Sequence, residues 1–222
     1  MKITNTSFKN INLDFDPKID SQEDLEKLVL KFFKENQDFF GEKKINIEIK
    51  FLYQRKDMDE ICGCETPEWH VGFTKGNQIS IFSPLVFEKV SNHPQSDFSY
   101  TLTHEIAHVF INELLHFHYP KWLNEGIAGY IAEQYKIRPV GKIDKFSDLH
   151  DKENWNKFYN FSQAFSFTKY LIDKFGKNKI LDFLKNVKIN IGSVNSYYEF
   201  VKFFDEFLKA DFDQEVSIWQ KS

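Results

Sequence analysis

The feature that most constrains this chain is an apolar stretch that carries two histidines four residues apart. Residues 100–110 read Tyr-Thr-Leu-Thr-His-Glu-Ile-Ala-His-Val-Phe, and this composition predicts a mostly buried helix. Because four residues make about one helical turn, His104 and His108 are expected on the same face of that helix. Two imidazoles in this arrangement can bind one metal ion at roughly 2.0–2.1 Å each. Buried histidines need polar partners, and a shared cation satisfies both.

Glu105 follows the first of these histidines directly. Its side chain is rotated by about 100° around the helix axis, so it can lean over the open position of a bound metal. From there it can take a proton from a water molecule, which makes it a candidate general base. The alternative is an exposed helix with two solvated histidines. Apolar neighbours favour the metal interpretation, and these are Ile106, Ala107, Val109 and Phe110.

A possible third ligand lies downstream, where residues 120–130 read Pro-Lys-Trp-Leu-Asn-Glu-Gly-Ile-Ala-Gly-Tyr. Pro120 suits the first turn of a second helix, to which apolar residues give a buried side. The link at residues 114–119 is short, so this helix is expected to fold back and bring Glu125 to the metal from the side. The alternative for Glu125 is a solvated helix carboxylate. Small residues leave a surface for close helix packing, namely Gly126, Ala128 and Gly129.

Together the two motifs resemble those of the gluzincin metallopeptidases. His-Glu-x-x-His followed by Trp-Leu-Asn-Glu-Gly-x-Ala-x-Tyr is most similar to small bacterial and archaeal peptidase-MA-like domains, which share the second motif with aminopeptidase N-type enzymes. The resemblance spans roughly residues 79–219. It implies a Zn²⁺ site of His104, His108 and Glu125, with Glu105 as general base. The gap between His108 and Glu125 is slightly shorter than in aminopeptidase N-type or thermolysin-type enzymes, which weakens any inference of exopeptidase activity.

The resemblance also implies a tyrosine near the start of the helix behind the site. Such a phenol donates a hydrogen bond to the oxygen of the tetrahedral intermediate. The position that aligns best is Phe161, so Tyr159, two residues earlier, is the candidate for this catalytic role. Tyr130 and Tyr170 are the alternatives.

The fold class predicted for the chain is α+β, and the resemblance implies a single zincin-like domain over residues 1–222. Residues 1–95 are expected to form an N-terminal part with a small mixed sheet, and residues 96–222 a mostly helical part that carries the zinc site. In the N-terminal part the patterns predict a strand or loop over 1–19, a helix from Ser21 to Gly41 and a strand over 44–53. A short helix is expected over 56–61. Two strands, over 69–74 and 78–82, are expected to be joined by a turn.

The helical part is expected to begin near Pro94, with Ser96 or Asp97 as the N-cap of the helix that carries the histidines. Residues 139–151 are polar and predict a loop near the entrance of the cleft. Later apolar periodicities predict four more helices, over 160–174, 178–187, 196–208 and 213–219.

The strands before the histidine helix suggest how a substrate is held. In gluzincins the strand at this position is often a sheet edge that pairs with an extended peptide, so one of the two strands over 69–82 is expected to do the same. The alternative is an ordinary exposed hairpin. The sequence does not decide between them.

The other histidines and the cysteines carry weaker expectations. His70 and His93 are expected to be solvated or hydrogen-bonded rather than metal-bound, and His116 and His118 are expected to cap the end of the first helix.

Cys62 and Cys64, one residue apart, suit neither a structural disulfide nor a metal site without further ligands. They are expected to be reduced thiols, with a redox-sensitive pair as the alternative.

Charge and hydropathy exclude several partners. The formal net charge is −4, with lysines interspersed among acids, so nothing predicts binding to nucleic acid. No apolar run is long enough for a membrane span, and the N-terminus lacks an apolar signal core. A cytoplasmic protein is therefore expected. The 25 phenylalanines recur at helical spacing, which predicts core packing.

These observations predict a zinc-dependent peptidase acting on a peptide or protein substrate. Its metal would keep one position open for water, whose proton Glu105 takes and then passes to the leaving amine. The alternative is a catalytically weak or inactive, zinc-stabilised module of the same fold that binds peptides or proteins. Glu105 argues against this alternative, because zinc binding does not require it.

Overall fold

The computed structural model describes residues 4–8, 10–115, 120–138, 146, 149, 158–187 and 196–222. Over these residues the predicted α+β class is confirmed. The chain divides into two units, residues 1–114 and 115–222. Whether it is a single zincin-like domain stays a prediction.

The first unit contains a mixed sheet of five strands. In chain order they are β1 (Thr4–Phe8), β2 (Ile11–Phe15), β3 (Ile47–Leu52), β4 (Gly72–Lys75) and β5 (Gln78–Phe82). The spatial order is β1-β2-β3-β5-β4. The β2–β3 and β3–β5 pairs are parallel, and the two outer pairs are antiparallel. The predicted hairpin therefore forms, and β4 is an edge strand of the described sheet.

Three helices of the first unit follow their local sequence signals. They are α1 (Gln22–Phe40), α2 (Arg55–Cys62) and α3 (Phe98–Leu115). The predicted cap of α1 is confirmed, because the Ser21 hydroxyl accepts a hydrogen bond from the Asp24 amide at 3.4 Å. Gly41 ends this helix with a φ of 93°, which an L side chain rarely adopts. A 3₁₀ turn, Gln95–Asp97, leads directly into α3.

The core of the first unit joins α3 to the sheet. Alternate residues of β2, β3 and β5 are buried on one face of the sheet, as their period of two requires. The same cluster includes apolar residues of α3, namely Phe98, Leu102, Ile106, Val109 and Phe110. α3 thus shares its core with the sheet, and the first unit ends at Leu114. The division of the chain at residues 95 and 96 stays a prediction.

β4 starts three residues later than the pattern predicts, at Gly72 rather than Trp69. The guanidinium of Arg55 holds the preceding segment by donating hydrogen bonds to the carbonyl oxygens of Glu68 at 3.0 Å and His70 at 2.6 Å. It also donates to the carbonyl of Val90 at 2.6 Å. In the same segment the His70 amide donates to the carbonyl of Pro67 at 2.9 Å, so this amide does not donate to a strand ladder.

The second unit is helical over its described residues. Its helices are α4 (Lys121–Ile131), α5 (Phe158–Phe175), α6 (Lys177–Asn186), α7 (Ser196–Leu208) and α8 (Phe212–Lys221). They confirm the predicted helices to within three residues at each end. Their core is an aromatic cluster around Trp122, whose ring packs at 5.2–6.2 Å from those of Phe146, Phe167, Phe200 and Phe212. None of the helices in the described ranges is long and apolar enough to cross a membrane.

The predicted loop over 139–151 lies outside the described residues except at two positions. Phe146 and Leu149 are buried there. Both are apolar residues of a segment that was predicted to be polar.

The small residues of α4 make room for α5. A Cβ atom at Gly129 would overlap the ring of Phe165, and one at Gly126 would approach the carbonyl oxygen of Ala164 to 2.8 Å. The predicted close helix packing is thus found, and its partner is α5. Trp122 and Leu123, on the same helix, are buried as predicted.

We expect Gly129→Ala to destabilise the protein. Alanine in place of a helical glycine usually stabilises by about 0.4–1 kcal/mol, because it restricts the unfolded chain. Here the added methyl group must displace the buried Phe165 ring, and overpacking of this kind costs about 1–3 kcal/mol. The free energy of unfolding from urea titration measures the net loss. Lys177→Ala, at an exposed position of α6, is the control, and a gain in stability for Gly129→Ala would contradict the packing.

Candidate metal centre

His104 and His108 turn their ring nitrogens toward each other from one face of α3. Their Nε2 atoms lie 3.0 Å apart, and the ring planes are at 84°. His104 is buried and His108 is half-buried. The predicted placement on one helix face is confirmed.

This geometry suits a shared cation. Two nitrogens bound to one tetrahedral zinc ion at 2.0–2.1 Å lie about 3.3 Å apart. The observed 3.0 Å separation is close to that distance. Two neutral imidazoles facing each other can share only one hydrogen bond, with one as donor, whereas both nitrogens can act as ligands of a cation. The residues therefore fit a metal.

Glu125, in α4, completes a set of three potential ligands. One ligand atom from each of His104, His108 and Glu125 lies within 4.8 Å of the other two. Within the described ranges this is the one such group of histidine, cysteine and carboxylate side chains. Two histidines and a glutamate form a known catalytic zinc set. The same donors also bind other divalent transition metals, so the set alone does not specify zinc.

Glu105 follows His104 directly in α3, and its carboxylate lies against the edge strand β4. Only 7% of the residue is exposed. Its Oε2 accepts a hydrogen bond from the Thr74 hydroxyl at 2.6 Å. Gly72, two residues earlier in β4, leaves the space that the Glu105 side chain fills. The sequence analysis did not identify Thr74 or Gly72, although a glycine inside a predicted strand is a signal of close approach.

The tyrosines predicted to stabilise an oxyanion fall into different environments. Tyr159 belongs to the first turn of α5, and its side chain is outside the described residues. The Tyr170 hydroxyl donates to Glu215 at 2.6 Å, and Lys174 donates to the same carboxylate. Burial, and then this hydrogen bond, raises the pKa of Tyr170. Tyr170 therefore serves the packing of α5 with α8.

Tyr130 is the remaining tyrosine among those alternatives. Its ring stacks on that of Tyr135, with the centroids 5.8 Å apart. Burial is the main cause of a raised pKa of Tyr130, with smaller contributions from Tyr135 and Asp173. A phenol with a raised pKa keeps its proton at neutral pH and can act as a hydrogen-bond donor.

Of the other histidines that the structure describes, His93 is hydrogen-bonded, as expected. His93 is buried, with Nδ1 at 3.1 Å from Asp97 Oδ2 and Nε2 at 3.1 Å from the carbonyl oxygen of Trp69. His70 stacks on the ring of Trp69. Neither belongs to the metal group. His116 and His118 lie outside the described residues.

The cysteines do not form a disulfide. Cys62 and Cys64 are free thiols in the structure, as the sequence predicts. Burial raises the pKa of the Cys62 thiol, with the neighbouring Cys64 as a smaller cause. A raised pKa lowers the thiolate fraction, which makes Cys62 a weaker nucleophile than an ordinary cysteine.

Comparison with known proteins adds no family to these observations. A scan against protein-family models found no match, and a search of curated proteins found none either. The resemblance to gluzincins thus rests on the two motifs and stays a prediction. The geometry of their side chains carries the functional argument.

Proposed function

We propose that the protein is a zinc-dependent peptidase of the gluzincin type with a zincin-like fold. The observation that carries the proposal is the convergence of His104, His108 and Glu125, whose ligand atoms lie within 4.8 Å of one another. Glu105, beside the first ligand on the same helix, supports a hydrolytic role. A purely structural zinc site has no use for a carboxylate at this position.

The residues of the site have separate roles in peptide hydrolysis. His104, His108 and Glu125 would hold the metal, which when bound supplies a Lewis acid for the peptide carbonyl and lowers the pKa of a water molecule to about 7. Glu105 accepts the proton of the attacking water and returns it to the leaving amine. The balanced result is one water consumed, one C–N bond broken, and one carboxylate and one amine formed.

The edge strand supports a peptide as the substrate. β4 pairs with β5 on one side and lies at the end of the described sheet. Its residues Gly72 and Thr74 touch Glu105. A peptide that added a strand to β4 by main-chain hydrogen bonds would therefore run past the proposed base. Such main-chain pairing holds an extended substrate with little dependence on its sequence.

Removal of the metal is expected to abolish cleavage. The purified protein should cut members of a peptide library, lose this activity with 1,10-phenanthroline, and regain it with one equivalent of Zn²⁺. Mass spectrometry of the products measures cleavage and also separates endopeptidase from exopeptidase activity. A protein that binds zinc and peptides but never cleaves them would contradict the proposal and favour the zinc-stabilised binding module.

A further inference from the structure

We infer that β4 positions the proposed general base, through the hydroxyl of Thr74 and the missing side chain of Gly72. The positioning itself is a property of the first unit alone. Its consequence for the rate of hydrolysis rests on the proposed function. Thr74 is here a positioning residue, because it acts on the reaction through Glu105.

The first contact is a short hydrogen bond. Thr74 Oγ1 lies 2.6 Å from Glu105 Oε2 and 3.2 Å from the main-chain oxygen of Glu105. A hydroxyl has one proton to donate, and the shorter bond to an ionised carboxylate is the stronger of the two. The hydroxyl therefore holds Oε2 of the carboxylate that is the proposed base.

The second contact is steric. Gly72 and Thr74 are two residues apart in β4, so both face α3. A Cβ atom at Gly72 would lie 2.6 Å from Oε1, 2.8 Å from Cγ and 2.9 Å from Cδ of Glu105. Real Cβ atoms do not approach other atoms so closely. The absence of a side chain at Gly72 thus allows the strand to pack directly against the glutamate.

The two contacts together leave Glu105 little freedom. The residue is 7% exposed, so solvent does not compete strongly for its carboxylate. A base held in one orientation loses less entropy on reaching the transition state, and small misplacements of a catalytic group are costly to the rate. The strand that would pair with substrate therefore also sets the geometry of the base.

A double-mutant cycle in the metal-free, full-length protein tests the hydrogen bond directly. Thr74→Val removes the hydroxyl at nearly constant shape, and Glu105→Met removes the carboxylate. Urea unfolding of the wild type, both single variants and the double variant gives the coupling. We expect a coupling of about tenfold in the unfolding equilibrium constant, as for a hydrogen bond to a charged group. Additive effects of the two substitutions would overturn the inference.

Kinetics of the zinc-loaded protein test the consequence for catalysis. Thr74→Val should lower kcat about tenfold or more, with KM and zinc content unchanged, and Thr74→Ser should restore most of the loss. Gly72→Ala should also lower kcat, because the methyl group displaces Glu105. An unchanged kcat in Thr74→Val would overturn the positioning role even if the coupling were present.

Thr66→Val is a matched control. The Thr66 hydroxyl donates to the Asp59 carboxylate at 2.6 Å, the same length and type of bond, in the same unit but outside the metal group. This variant should lose stability and keep its kcat. A loss of kcat equal to that of Thr74→Val would show a general effect of destabilisation and would overturn the inference.

The two proposals fail in different ways. If the wild-type protein cleaves no peptide but shows the coupling, the positioning of Glu105 stands and the proposed peptidase activity is wrong. If the protein cleaves peptides but shows no coupling, the peptidase activity stands and the positioning of Glu105 is wrong.

Discussion

Glu105→Gln is expected to lower kcat for peptide cleavage by about 10²–10⁴-fold, the range that a positioned general base contributes. The amide keeps the size of the side chain and still accepts a hydrogen bond from Thr74, but it cannot take up a proton from water. Because Glu105 is not among the three potential ligands, zinc content should stay at one ion per chain. Initial rates on a peptide substrate and metal analysis of the same sample measure both quantities.

The control for this prediction lies on the same helix. Glu113 is exposed in α3, two turns beyond Glu105, so Glu113→Gln changes the net charge of α3 equally without touching the metal group. It should leave kcat unchanged. If Glu105→Gln hydrolysed peptides at the wild-type rate, Glu105 would not be the general base. If this variant lost its zinc, Glu105 would be a metal ligand instead.

Substitution of any one of the three ligands by alanine is expected to remove zinc. His104→Ala and His108→Ala each delete one imidazole of the facing pair, and Glu125→Ala deletes the carboxylate. With two protein ligands left, the site cannot keep the three that a catalytic zinc ion requires. After dialysis, the zinc content measured by metal analysis should fall from one ion per chain to a small fraction of that value.

The same variants should lose the stabilisation that zinc confers. A ligand present at 100 times its Kd stabilises the folded protein by about 2.7 kcal/mol, which raises the midpoint of thermal unfolding of the wild type. The three variants should show no such rise on addition of zinc. His70→Ala is the control, because His70 stacks on Trp69 and is not in the metal group. Full zinc content in Glu125→Ala would exclude that residue as a ligand.

Local chemistry explains why much of the fold was predictable. α1 begins after Ser21 and ends at Gly41 because a hydroxyl caps the one end and a glycine with positive φ terminates the other. Both signals are readable from neighbouring residues. The alternation in β3 was equally clear, since its residues are buried and exposed in turn from Ile47 to Phe51.

Interactions between distant residues explain what the sequence did not reveal. The segment before β4 is held by Arg55, from α2, which donates to the carbonyls of Glu68 and His70. The Tyr170 hydroxyl is engaged by Glu215, which lies 45 residues away. No pattern of neighbouring residues encodes either contact.

The candidate site contains residues that the sequence predicts and residues that only the folded structure reveals. His104 and His108 were predictable from helix geometry alone, since their spacing fixes a common face. Glu125 required the second motif, because spacing along the chain does not show which side chains from different helices converge. Thr74 lies 31 residues from Glu105, and only the packing of β4 against α3 brings them together. The glycine at position 72 was a visible signal that needed this contact to be interpreted.

Anomalous diffraction at the zinc edge, from crystals of the wild-type protein grown with Zn²⁺, would show whether the three side chains bind one ion. We expect a single strong peak at roughly 2.0–2.2 Å from Nε2 of His104, Nε2 of His108 and one carboxylate oxygen of Glu125. A peak bound by other residues, or zinc-soaked crystals with no peak between these three side chains, would contradict this expectation.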